Sequence, residues 1–91
     1  MPKLTLFYLD HCPYCHSARR AIEALKAERP DYAGIDIEWV EESRHPERCQ
    51  DRDYYYVPTL YHGDDKLYEA QPGQSYEVIL GKLREAFDAV I

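Results

Sequence analysis

The chain has 91 residues, 45% of them hydrophobic and 31% charged, with a formal net charge of −6. These figures fit one globular domain spanning residues 1–91, large enough for a single core and too apolar to be disordered. The acidic balance argues against a general nucleic-acid binder, which needs a basic face to displace counterions from phosphate. No apolar run approaches the ~20 residues of a membrane span, and the opening MPKLTLFYLDHC is too short and too soon polar for a secretory signal. Three cysteines are too few for a disulfide-stapled scaffold, so the expected compartment is the cytoplasm.

KLTLFYL (residues 3–9) mixes β-branched, aromatic and apolar residues without helical spacing and predicts a buried strand. From Pro13 the period changes. Ala18, Ala21, Ile22 and Leu25 recur at helical intervals, with Arg19, Arg20, Glu23 and Lys26 on the other face, which predicts an amphipathic helix ending before Pro30. GIDIEWVE (34–41) sets Ile35, Ile37 and Trp39 against Asp36 and Glu38, a second strand. HPERCQDRD is polar, with Pro46 suited to a first helical turn, and predicts one short helix. PTLYHGDDKLYEA reads as a hairpin around Gly-Asp-Asp. Tyr76, Ile79, Leu80, Leu83, Phe87 and Val90 line one side of a closing helix capped by Ser75.

The order β-α-β-α-β-β-α implies a parallel pair joined right-handedly, with a hairpin adding antiparallel strands. The result is a four-stranded mixed sheet with helices on both faces. DHCPYCHSARRA (10–21) then becomes the informative stretch, because Cys12 falls at the carboxyl end of the first strand and the mouth of the first helix. The first N–H groups of a helix lack partners and carry the positive end of its dipole, so a thiol held there gives up its proton more readily than a free one. Pro13 suits the first turn, since its missing donor leaves nothing unpaired. Cys15 lies one turn along on nearly the same side. Cys12 is therefore the expected nucleophile and Cys15 the more buried resolving thiol; C-x-x-C beside a β-α-β pattern marks a redox site.

CPYC (12–15) resembles the active-site tetrapeptide of dithiol glutaredoxins, at the thioredoxin-fold position after the first strand. YVPTL (56–60) resembles the segment in which that superfamily carries a cis-proline facing the dithiol. The resemblance implies a thioredoxin fold and a thiol–disulfide oxidoreductase that reduces protein or glutathione disulfides. It implies substrate contacts at Pro13, Tyr14, Val57, Pro58 and Thr59, with the backbone of Val57 pairing with an extended peptide or with glutathione. It also implies no cofactor beyond glutathione as a co-substrate, recharging by a glutathione or thioredoxin reductase system, and a monomer that binds neither nucleic acid nor membrane. The pattern departs from its relatives at Leu9, where many glutaredoxins carry a lysine that holds a glutathione carboxylate, and at Leu6, where thioredoxins carry a buried aspartate. The glutaredoxin Gly-Gly pair falls near Glu69 and Ala70, where Glu69 is expected to repel the γ-glutamyl carboxylate; the amides of Gly73, Gln74 and Ser75 are the alternative.

Other assignments compete with these. Cys12 and Cys15 also form half of a zinc or iron–sulfur site, but the only other cysteine is Cys49 and a closed zinc site needs four ligands, so redox chemistry is the preferred reading. A non-catalytic metal-binding module and a redoxin recharged by a flavin-dependent thioredoxin reductase are the alternatives. His16 tunes the thiolate or is a solvated helix residue. Tyr54, Tyr55 and Tyr56 form a substrate platform or, the preferred reading, pack around the short second helix. Cys49 reads as a bystander, and Arg19 and Arg20 as a solvated face.

Overall fold

The computed structural model describes residues 2–91 in the order β1 (Lys3–Tyr8), α1 (Pro13–Glu28), α2 (Pro30–Ala33), β2 (Asp36–Glu41), a 3-10 turn (Pro46–Arg48), β3 (Thr59–His62), β4 (Asp65–Glu69) and α3 (Tyr76–Asp88). The strands form one four-stranded sheet in the order β2-β1-β3-β4. β1 runs parallel to β2, with Lys3 opposite Asp36 and Tyr8 opposite Glu41. β3 is antiparallel to both β1 and β4. This is the mixed sheet that the element order predicts.

Alternation along β1 divides the core. Leu4 and Leu6 point to one face, where they meet Ala18, Ala21, Ile22 and Leu25 of α1 and Ile79, Leu83, Ala86 and Phe87 of α3. Both long helices therefore cover the same face. Arg84 of α3 pairs with Glu28 of α1, and the Tyr32 hydroxyl donates to Asp88 Oδ1 at 2.6 Å. Phe7 points the other way and packs with Val40 and Tyr61, under Cys49, Tyr54 and Val57.

On that second face the sequence predicts a short helix, and the chain forms only the three-residue turn Pro46–Arg48. HPERCQDRD has no apolar stripe at helical spacing to bury, and a helix without such a stripe gains little from packing. The sequence reading also misses α2. Pro30 ends α1, but it starts a new turn at the position where proline fits, with Arg29 extended (φ −143, ψ 137) between the two helices. The hairpin is tighter than Gly-Asp-Asp. Gly63 takes φ +61 while Asp64 does not enter that region, as in a type II′ turn, and Asp65 already belongs to β4. Ser75 caps α3 as predicted, its side chain accepting from the Val78 N–H at 3.2 Å.

Candidate active site

The loop between β1 and α1 is tied to the end of β2. Glu41 is 5% exposed and accepts from the Asp10 N–H at 3.0 Å, from the Ser43 hydroxyl and N–H at 2.5 and 2.7 Å, and from the Arg44 N–H at 3.2 Å. These donors, the Ser43 hydroxyl foremost, hold its carboxyl at about 2, well below the usual carboxylate range. Arg44 also pairs with the Asp10 carboxylate. His16 reaches back from α1 and its Nε2 lies 3.0 Å from the Asp10 carbonyl. A carbonyl only accepts, so Nε2 carries the proton in that contact. His16 is thus an exposed loop tether, and Glu41 is a site-shaping residue with no local sequence signal.

Cys12 follows this loop as the N-cap of α1 (φ −100, ψ 117), with Pro13 in the first turn. Its Sγ accepts from the Cys15 N–H at 3.4 Å, and its carbonyl accepts from the His16 N–H at 3.1 Å. Across the site the Val57–Pro58 peptide is cis, and Cys12 Sγ lies 3.6 Å from the Val57 carbonyl. The structure thus brings Cys12, Cys15 and Val57 together over 45 residues of sequence separation. Both thiols are free; Cys12 is half-buried and Cys15 is 4% exposed. Burial pushes the Cys15 thiol up to about 12 from its ordinary 9.0, only partly offset by its hydrogen bond with the Leu9 backbone. A small cleft lined by Tyr8, Leu9, Asp10, Cys15, His16 and Arg19 opens beside it.

The remaining residues singled out in the sequence take varied positions. Pro13 is exposed, and Tyr14 is half-buried with its hydroxyl accepting from the Gly73 N–H at 2.6 Å. Pro58 is buried. Thr59 is fully buried and donates to the Tyr56 carbonyl at 2.5 Å, so its side chain supports the loop and cannot meet a substrate. The Gly73 N–H is taken by Tyr14 and the Gln74 N–H by the Gln71 carbonyl at 3.3 Å, which removes two of the three amides considered for a carboxylate. Tyr54 stacks on Phe7 at 5.5 Å and packs as expected, but Tyr55 and Tyr56 are 89% and 46% exposed, because the short helix they were to cover is absent. Cys49 is half-buried against the second core face, its Sγ 3.6 Å from the His45 carbonyl. Arg19 is exposed and lies over the Trp39 ring at 4.4 Å.

Glu69 requires a correction. It is not a free charge aimed at a ligand: it accepts from the Tyr55 and Tyr56 N–H groups at 2.7 and 2.9 Å and pairs with Lys66 at 2.7 Å. A carboxylate with these partners is largely neutralised, and the expected repulsion of a glutathione carboxylate loses its basis. Among the described residues no three His, Cys, Asp or Glu side chains are placed to hold a metal ion, and no helix is long and apolar enough to cross a membrane.

Residues 6–72 match the glutathione S-transferase N-terminal domain family. A thioredoxin of Methanocaldococcus jannaschii is 27% identical over 70 residues, covering 77% of this chain and 80% of that protein. Among solved structures, Trxlp from Edwardsiella tarda superposes with a TM-score of 0.61 at 20% identity over 88% of this chain and 79% of its own. The zinc-bound form of human ERp44 superposes with a TM-score of 0.59 at 20% identity over 91% of this chain, which spans only 26% of the ERp44 chain. The fold shared with these structures is the thioredoxin fold.

Proposed function

The chain belongs to the glutathione S-transferase N-terminal domain family, within the thioredoxin superfamily, and from that premise we propose that it is a thiol–disulfide oxidoreductase of glutaredoxin type acting on protein or glutathione disulfides. The observation that carries this reading is the half-buried Cys12 at the start of α1, with Cys15 buried one turn behind it and the Val57 carbonyl 3.6 Å away.

The reaction follows from that arrangement. The Cys12 thiolate attacks a substrate disulfide; a Cys12–substrate S–S bond forms, the substrate S–S bond breaks, and the leaving thiolate takes up a proton. Cys15 then loses its proton and attacks Cys12 Sγ. The second substrate thiol departs, two electrons have passed to the substrate, and a Cys12–Cys15 disulfide remains. Two glutathione molecules restore the dithiol through a Cys12–glutathione mixed disulfide and leave as glutathione disulfide. The dithiol carries the electrons itself, so no bound cofactor is required. The reading includes a monomeric protein of the cytoplasm whose partners are disulfide-bearing proteins or glutathione.

A second reading, a redoxin recharged by thioredoxin reductase, is favoured by the thioredoxin relative and by the internal use of the Gly73 and Gln74 amides. One experiment tests both: turnover of a model disulfide with glutathione and glutathione reductase, run beside thioredoxin reductase. Turnover with glutathione supports the first reading, turnover with thioredoxin reductase alone supports the second, and none with either overturns the oxidoreductase assignment.

A further inference from the structure

The segment before Val57 is held at several of its backbone groups. The N–H groups of Tyr55 and Tyr56 both donate to Glu69 Oε2, at 2.7 and 2.9 Å. Glu69 Oε1 takes Lys66 Nζ at 2.7 Å, and the same ammonium donates to the Asp53 carbonyl at 3.0 Å. Thr59 holds the Tyr56 carbonyl, and the Ala70 N–H donates to the Pro58 carbonyl at 3.0 Å. Glu69 is the last residue of β4 and lies directly opposite Thr59 in the sheet, so these contacts hang residues 53–56 from a rigid strand. Tyr54 anchors the start of the loop by stacking on Phe7, and the Tyr61 hydroxyl donates to the Asp53 carbonyl at 3.2 Å; at Tyr55 and Tyr56, whose side chains are 89% and 46% exposed, the Glu69 bonds are the main tie.

We propose that Glu69, braced by Lys66, is a positioning residue that clamps the 53–56 loop so that the Val57 backbone faces Cys12 in the geometry an extended disulfide substrate needs. The proposal rests on the oxidoreductase reading given above. It predicts that the clamp governs how an extended substrate docks and leaves the intrinsic chemistry of Cys12 alone, since no atom of Glu69 bonds to either thiol.

The test is steady-state reduction of a disulfide-linked peptide by the full chain and by Glu69→Ala, Glu69→Gln and Lys66→Met, together with iodoacetamide labelling of Cys12 and amide hydrogen exchange at Tyr55 and Tyr56. Glu69→Ala is expected to raise the peptide KM about ten- to a hundredfold, the range for losing hydrogen bonds to a charged group, while kcat and the Cys12 labelling rate stay within about twofold. Exchange at Tyr55 and Tyr56 should accelerate in the same variant. Glu69→Gln keeps an acceptor for both N–H groups and should recover most of the KM, and Lys66→Met, which leaves the two amide bonds intact, should fall between. A Glu69→Ala variant with the parent KM, or one whose labelling rate changes as much as its KM, overturns the clamp. Should Glu69→Ala not fold, a peptide KM unchanged in both Glu69→Gln and Lys66→Met overturns it. A parent that reduces no disulfide with any donor overturns the oxidoreductase reading, and does so whatever the exchange rates at Tyr55 and Tyr56.

Discussion

Cys15 donates its backbone N–H to Cys12 Sγ at 3.4 Å while its own thiol lies buried beneath, so two sulfurs of one short motif occupy opposite environments. Burial pushes the Cys15 thiol up to about 12, so at neutral pH it stays protonated and is a poor nucleophile beside Cys12. Alkylation near neutral pH should therefore label Cys12 first, as read by peptide mass mapping. Cys12→Ser should abolish disulfide reduction, and Cys15→Ser should leave a mixed disulfide trapped on Cys12. Faster labelling of Cys15 would reverse the two roles.

The same burial sets an alkaline limit. An unfolded chain ionises this thiol near its ordinary 9.0, the folded chain only at about 12. Its contribution to stability is thus complete below about pH 9 and is lost as pH rises towards about 12. Calorimetry of the reduced protein should show a Tm that falls across this window, and a shallower fall in Cys15→Ala. Part of the fall should persist in the variant, because burial also raises Tyr68 from 10.0 to about 12, with the same sign. An identical slope in parent and variant would contradict the assigned cause.

Glu41 acts at the other end of the pH scale. Its carboxyl is held at about 2 against an ordinary 4.5, so its contribution is present above about 4.5 and is lost as pH falls towards about 2. Tm measured against pH should drop through that interval, and Glu41→Gln should flatten the drop. The variant should also lower the rate of disulfide reduction at neutral pH, since the Asp10 N–H that anchors the Cys12 loop loses its charged acceptor. Full activity in Glu41→Gln would show that the loop stands without it.

Phe87 is fully buried, with its ring centroid 5.6 Å from that of Tyr32. Phe87→Ala should cost about 3–5 kcal/mol in urea unfolding, a large part of the roughly 5–14 kcal/mol expected for a chain of this length. A loss below about 1 kcal/mol would mean that α3 repacks over the space left behind.

Much of this architecture is legible in the sequence because it is local. The spacing of Ala18, Ala21, Ile22 and Leu25 marks α1, the alternation from Ile35 to Trp39 marks β2, and CPYC with VPT locates the two sides of the site. What the sequence hides are contacts between distant residues. Glu41 reaches the Asp10 amide across 31 positions, and Glu69 reaches Tyr55 and Tyr56 across 14 and 13. A lone glutamate at a strand end carries no signal of which amides it will accept. For the same reason Glu69 reads as a repulsive charge until its partners are seen, and Thr59 as a substrate contact until its hydroxyl is found turned inward. The missing second-face helix is a different error: Pro46 signals a helix start, but nothing after it supplies a face to bury.

The sheet ends on two short, open edges, β2 with six residues and β4 with five. Strands in that position offer unpaired N–H and C=O groups to any other extended chain. Here the outward positions carry charge: the exposed Asp36 and the half-buried Glu38 on β2, and the exposed Asp65 and Lys66 on β4. Two copies meeting through β2 would set carboxylates against carboxylates and would have to loosen the Glu38–Arg48 pair, held at 2.8 Å. The edges are thus poor templates for fibrils. Replacing Glu38 by an apolar β-branched residue would remove one of those guards, leaving Ile37, Trp39 and Val40 in an uninterrupted apolar run along the open margin of the sheet.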